Sequence, residues 1–234
     1  MPVAGDAGGV GAGASGRGTQ AKREAIMKAA FEVFARQGYA ATSLDDIATA
    51  TPASRQTVYN HFGDKEKLFL AVVDERITAN LQALREATLA FPNRVDGTDE
   101  AEKYLVDLAR RINDVYASPG TASLRLLVQT EAPRHAALQA LWRSRAATPV
   151  WPTLIGSLAR LAHAGALDID DPARAAGQFV TLVTGVSWAM TELGTFAISP
   201  PPAQDSDELD LAIRSNVSLF VRAYAPGVTA RRDR

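Results

Sequence analysis

From residue 20 onward the apolar positions recur at helical spacing, and the chain reads as all-α. Ile26, Ala30, Val33 and Phe34 fall at i, i+4, i+7 and i+8, a single buried stripe. Gly38 can close that helix in a left-handed conformation, with Tyr39 adding an aromatic beside the stripe. Leu44, Ile47 and Ala48 give a second, short helix its inner face, and Val58 with Phe62 anchor a third. A long fourth helix starts at Lys65 and carries Phe69, Val73, Ile77, Leu81 and Leu84 to about Ala90, ahead of Phe91-Pro92.

Polar residues punctuate the first elements. Thr42 is read as the N-cap of the second helix, with Asp45 three residues on completing a capping box. Pro52 stops that helix by pushing Thr51 out of the α region. Ser54 caps the third, where the Thr57 amide is the natural donor to its hydroxyl. Gly63-Asp64 is a turn, with Asp64 as the next cap and Lys65 on the first turn beyond it. Two short helices joined by a tight turn, the second polar on its outside, is the layout of a helix-turn-helix. Arg55, Gln56, Thr57 and Asn60 face outward, all able to donate to phosphates and base edges.

Residues 23 to 69, REAIMKAAFEVFARQGYAATSLDDIATATPASRQTVYNHFGDKEKLF, resemble the DNA-binding domain of the TetR family of transcriptional regulators without a gap. The resemblance rests on the small-plus-aromatic first helix, the GY…TS junction, the S…T-Y-x-H-F recognition helix and the lysine that follows. One departure is visible: the turn reads Thr51-Pro52-Ala53-Ser54 where the family commonly has A-G-V-S, and proline cannot take a glycine's positive φ. The resemblance implies that Gln56 and Thr57 touch base edges, and that Arg55 reaches a guanine or a phosphate. It also implies that Thr42, Tyr59, His61 and Lys65 grip phosphates, while Asn60 serves either purpose. Packing on the first helix is the other reading of Tyr59 and His61.

Behind the head, helices are expected from Thr98 (as cap) to Tyr116, ended by Ser118-Pro119-Gly120, and from about Ala122 to Ala132. Pro133 starts another, interrupted at Pro149 and Pro152 and resuming to Ala164-Gly165. Asp171-Pro172 opens one that runs through Phe179, Val183, Val186 and Met190 to about Gly194; a Ser199–Pro202 loop follows, then a last helix, Asp207 to Tyr224. Leu209, Ile213, Val217, Phe220 and Tyr224 form one stripe on that helix, and the helix before it is apolar around most of its circumference. Two copies of this pair around a two-fold axis would make a four-helix bundle, as in TetR-type dimers. Such a homodimer would set two recognition helices roughly 34 Å apart on a palindromic double-stranded DNA operator.

The stretch from Ser123 to about Val183 looks more loosely like the C-terminal domain of the AefR-like branch of the family. That implies a small-molecule effector, mostly apolar. Tyr104, Tyr116, Gln129, Trp142, Trp151, His163, Thr184 and Trp188 are candidate lining groups, since an aromatic wall with few polar groups suits such a pocket. Ordinary core packing is the competing assignment for each, and Trp188 fits the dimer interface equally well.

Composition narrows the classes. The 234 residues suffice for a small domain and a larger one, placed at 20–66 (head) and 67–226 (effector binding and dimerisation) between a flexible tail, 1–19, and a basic tail, 227–234. With no cysteine, disulfides, thiolate catalysis and cysteine metal sites are excluded. The first 19 residues, rich in Gly, Ala and Ser, lack a secretory signal's basic start and apolar core. No apolar run approaches the roughly 18 residues of a membrane span, so a cytoplasmic, nucleoid-associated bacterial protein is expected. Net charge is −1, yet residues 17–70 hold eight Lys/Arg against six Asp/Glu, so placed cations matter more than bulk charge. Three histidines and isolated acids such as Glu131 and Glu192 match no catalytic motif, and no cofactor or metal is expected. An architectural or activating DNA-binding protein without an effector is the alternative within the DNA-binding class.

Overall fold

The computed structural model describes residues 12–146, 151–188 and 207–227, with the side chains of 12–17, 146 and 186–188 excepted. Among the described residues there are ten α-helices, one 3-10 turn and no strand. The chain divides into two compact units. One holds the residues up to Arg76 together with Ser123–Arg143; the other holds Ile77–Ala122 and everything from Ser144. The first unit thus reaches beyond residue 66 and takes in a segment expected to belong to the effector domain.

The first unit begins with α1 (Ala12–Ala41), which is kinked at Gly38. Helix therefore starts inside the stretch expected to be a tail to residue 19. The expected stripe is its core: Ile26, Ala30, Val33 and Phe34 are all buried. At Gly38 the backbone takes φ 78° and ψ 167°, a left-handed φ that glycine adopts without a Cβ penalty. A Cβ there would meet Glu131 Oε1 at 3.2 Å.

Helix α2 (Leu44–Thr49) is capped one residue later than expected, by Ser43 and not Thr42. The Asp46 amide donates to Ser43 Oγ (3.1 Å) and the Ser43 amide to Asp46 Oδ2 (2.8 Å). Hydrogen bonds from the Ser43 side chain and backbone hold the Asp46 carboxyl below its ordinary range. Thr-x-x-Asp and Ser-x-x-Asp overlap in Thr42–Asp46, so pattern alone could not choose the register. The helix ends at Thr49 with Ala50 as its C-cap, before Pro52 acts. In the turn the Ala53 amide donates to Thr51 Oγ1 (2.8 Å). No described residue other than glycine has a positive φ, so Pro52 is accommodated without the left-handed conformation a glycine would supply.

Helix α3 (Arg55–Phe62) has the expected cap, the Thr57 amide donating to Ser54 Oγ at 3.2 Å, and buries Val58 and Phe62. Asp64 then caps α4 (Lys65–Leu89) by accepting from the Lys67 amide at 2.8 Å. That backbone hydrogen bond is the main reason the Asp64 carboxyl titrates below its ordinary value. On α4, Leu68, Phe69, Val72 and Val73 are buried. The later part of α6 (Pro119–Glu131), a 3-10 turn (Ala132–Arg134) and α7 (Ala136–Ala146) up to Arg143 complete the unit.

The second unit is built from α5 (Thr98–Ala117), α8 (Pro152–His163), α9 (Pro172–Trp188) and α10 (Asp207–Ala223), with the end of α4 and the 91–97 loop. Helix α5 packs on α9 and α10, α9 on α10, and α8 on α9. Leu105, Leu108, Ile112, Leu154, Leu158, Phe179, Val217 and Phe220 form its core. Gly97, with φ 86°, occupies the N-cap of α5; the Thr98 hydroxyl instead donates to Ala166 O at 2.8 Å, so Thr98 is a tie to the α8–α9 loop and no cap. Pro119 opens α6 three residues before the expected start, with Ser118 Oγ 3.4 Å from the Thr121 amide. Pro133 lies in the 3-10 turn, so α7 starts after His135, and α7 and α8 are separate helices. Asp171 caps α9 as expected, accepting from the Ala173 and Arg174 amides at 3.0 Å. Met190, Gly194 and the Ser199–Pro202 loop lie outside the described residues, as do residues 1–11 and 228–234 of the expected tails. No helix among the described residues is long and apolar enough to cross a membrane.

Candidate nucleic-acid interface

Val58 and Phe62 fix the inner face of α3 and leave much of its remaining circumference to solvent. Arg55, Gln56, Tyr59 and Asn60 are exposed, Tyr59 with 39% of its surface. Gln56 Nε2 donates to Asn60 Oδ1 across one helical turn at 2.9 Å. Arg55 Nε lies 2.6 Å from Asp45 Oδ1 on α2, and its guanidinium sits 5.6 Å from the Tyr59 ring centre. Thr57 is half-buried, its hydroxyl 2.9 Å from that of the cap, Ser54. His61 is half-buried and tilted against the Phe62 ring. The structure therefore brings together Arg55, Gln56, Tyr59 and Asn60 as one polar face, with Thr57 and His61 at its margins.

Two expected phosphate contacts are placed differently. Thr42 is only 2% exposed, and its hydroxyl donates to Gly38 O at 2.8 Å. A buried hydroxyl satisfied by the kink it follows does not face a ligand. Lys65 turns its ammonium onto the end of α1, donating to Tyr39 O (3.0 Å) and Thr42 O (2.9 Å), with Ala40 O at 3.5 Å. The same nitrogen lies 4.4 Å from the centre of the Tyr39 ring. An ammonium has three donors, and here three carbonyls at and just past the end of α1 lie within reach of them. Lys65 is a fastener inside the head, not an outward cation.

The junction around it holds groups that the sequence did not flag. The Tyr39 amide donates to Glu131 Oε1 at 3.0 Å, from a residue 92 positions away. The His135 ring stands edge-on to Tyr39 at 4.9 Å and tilts over Phe69 at 5.7 Å. His135 Nδ1 is buried without a hydrogen-bond partner, while Nε2 lies 3.8 Å from Glu66. Burial, and then the charges of Glu66, Asp64 and Glu131, raise the Tyr39 hydroxyl above its ordinary pKa. No spacing rule links residues this far apart in the chain, so no local signal exposes the cluster.

The candidate effector residues do not gather around one pocket. Gln129 is exposed and Trp142 is 38% exposed, both on the first unit. In the second unit Tyr104 and Trp151 are half-buried against the core, Tyr104 edge-on to Phe91. Tyr116 is half-buried, and Thr184 is buried with its hydroxyl donating to Val180 O at 2.7 Å. His163 is exposed beside a crevice of about 290 Å³ between the 91–96 loop and α8. The Trp188 side chain lies outside the described residues. Tyr104 and Trp151 fell at helical spacing because they edge the core. One interior polar group is Asn113, missed in the sequence although it stands alone on the apolar face of α5. It is 2% exposed, donates to Ala109 O (2.8 Å) and Val183 O (3.0 Å), and leaves Oδ1 buried without a partner.

The profile described as Bacterial regulatory proteins, tetR family, matches residues 26–72. That described as AefR-like transcriptional repressor, C-terminal domain, matches residues 103–226. Over 139 residues the chain is 30% identical to the HTH-type transcriptional activator FasR of Mycolicibacterium smegmatis, covering 52% of this chain and 61% of that one. Over 94 residues it is 35% identical to the HTH-type transcriptional repressor NicS of Pseudomonas putida, covering 40% and 41%. The chain thus spans less than two thirds of the length of these curated relatives. A solved TetR-family transcriptional regulator from Mesorhizobium loti superposes with a TM-score of 0.72 at 27% identity, over 88% of this chain and 98% of that one. The flavonoid-responsive regulator FrrA gives 0.62 at 25% identity, over 89% and 100%. With a head in which α3 presents a polar face and a C-terminal profile matched over more than half the chain, this protein belongs to the TetR family of DNA-binding transcriptional regulators, a non-enzymatic family, and carries an AefR-like C-terminal domain.

Proposed function

We propose that the chain is a repressor that binds a palindromic operator as a homodimer and leaves it when a small, mostly apolar ligand binds the second unit. The observation that carries this reading is the exposed polar face of α3, held by a capped helix whose other face is buried. Repression is supported by the relatives NicS and ComR, both named as repressors, while FasR, named as an activator, supports activation as the second reading.

The stripe of the last helix, Leu209, Ile213, Val217 and Phe220 with Tyr224 against it, is taken up by the core of its own unit. What α9 and α10 leave for a partner is their outer surface, where a shallow depression of about 660 Å³ is edged by Gly177, Thr181, Leu182 and half-exposed Leu219. Small residues there let two helix pairs approach closely. A twofold partner on that face would give the head its second copy, which one half-site cannot replace. Such a protein works in the cytoplasm, on the nucleoid.

For the ligand, the name of FrrA supports an aromatic compound. The ligand acts through its different affinity for the operator-competent and incompetent forms. A thermal-shift screen of flavonoids and simple phenols should give a compound that stabilises the protein and weakens operator binding at fixed salt. A compound that binds tightly and leaves DNA affinity unchanged contradicts the switch.

A further inference from the structure

We propose that Gln56 reads an adenine in each operator half-site and that Asn60 is the positioning residue that sets its orientation. This rests on α3 entering the major groove, and it adds which base the helix selects. A carboxamide carries two N–H donors and one carbonyl acceptor. Asn60 Oδ1 takes one N–H of Gln56, at 2.9 Å. What remains on exposed Gln56 is one N–H and the carbonyl oxygen, in the plane of one amide.

That remainder matches one base edge. Adenine shows the major groove an acceptor, N7, beside a donor, the N6 amino group. Gln56 can donate to the first and accept from the second. Guanine shows two acceptors, N7 and O6; the pinned amide has one donor left, and its carbonyl oxygen would face O6 lone pair to lone pair. Cytosine offers a donor and thymine an acceptor with a methyl group, so each takes a single bond. Arg55, whose chemistry favours guanine, is tied by Asp45 at 2.6 Å to the neighbouring helix and lies beside the Tyr59 ring. Asn60, whose Oδ1 already accepts from Gln56, is assigned the supporting place and Gln56 the reading one.

The test uses the full chain and a library of duplexes with a randomised core, with the bound fraction sequenced at one fixed salt concentration. Wild type, Gln56→Ala, Asn60→Ala and Asn60→Asp are compared. All three substitutions fall on exposed positions, and thermal unfolding checks that each variant is folded. Wild type is expected to select a position where guanine in place of adenine weakens binding about tenfold or more. Gln56→Ala should flatten that position and leave the others. Asn60→Ala should reduce the adenine-to-guanine ratio there, and Asn60→Asp, whose carboxylate still accepts the Gln56 N–H, should restore it even if overall affinity falls. The proposal is overturned if the position lost in Gln56→Ala is not adenine, or if Asn60→Ala keeps the wild-type ratio. If wild type enriches no sequence at all, the groove-reading role of α3 fails first and takes this inference with it.

Discussion

Phe69→Ala is expected to destabilise the first unit by about 3–5 kcal/mol, the range for removing a fully buried aromatic ring. Phe69 has no exposed surface. Its ring meets Phe34 edge-on at 5.0 Å, Tyr39 at 4.7 Å and His135 at 5.7 Å. Those three partners come from the body of α1, the residue after its kink and the turn before α7. A single truncation therefore removes the surface on which three separated segments converge, and the cavity cannot close by moving only one of them. Denaturant unfolding followed by far-UV circular dichroism measures the loss. A shift below about 1 kcal/mol would mean that the ring is not central to the unit, since that is within the usual effect of a single substitution.

Lys65→Met should cost the same unit about 2–3 kcal/mol, from hydrogen bonds to a charged group at roughly 1.5–3 kcal/mol each with partial recovery by water. Methionine keeps the apolar stem and loses the ammonium that pairs with Tyr39 O and Thr42 O. Lys65→Arg should not rescue it, because a planar guanidinium cannot aim its N–H groups at carbonyls converging on one point. The informative comparison is with DNA. A lysine that gripped a phosphate would, when removed, lower the salt slope of binding by about one. A fastener leaves the slope unchanged and lowers affinity only as the folded fraction falls. Measured stability equal to wild type with a reduced slope would return Lys65 to the phosphate backbone.

Lys65 also shows where reading the sequence stops. Its place on the first turn of α4 was legible from Gly63-Asp64, and so were the caps at Ser54, Asp64 and Asp171 and the buried stripe of α1. Each depends on residues within four positions of one another, which is the range over which caps and helix faces act. The outward face of α3 followed from the same rule, because Val58 and Phe62 leave the other side to solvent. Lys65's three carbonyl partners lie 23 to 26 residues away, and Glu131's amide partner 92 away, so nothing local records them. The effector candidates are less legible for a related reason. Half-buried aromatics at helix edges and pocket-lining aromatics share one spacing, and only packing separates them. Asn113 was more legible than any of them, since one amide among Leu105, Leu108, Ala109 and Ile112 breaks an apolar face.

The account stands on duplex DNA being read by two copies of the α3 face. Its most direct test is to incubate the purified chain with sheared genomic fragments at low and moderate salt, sequence what is retained, and determine the number of chains per bound fragment. Enrichment of an inverted repeat with half-sites roughly 34 Å apart, occupied by two chains and losing its preference at one position per half-site in Gln56→Ala, is the expected result. Retention of no particular sequence at low salt, or occupancy of each site by one chain, would contradict it.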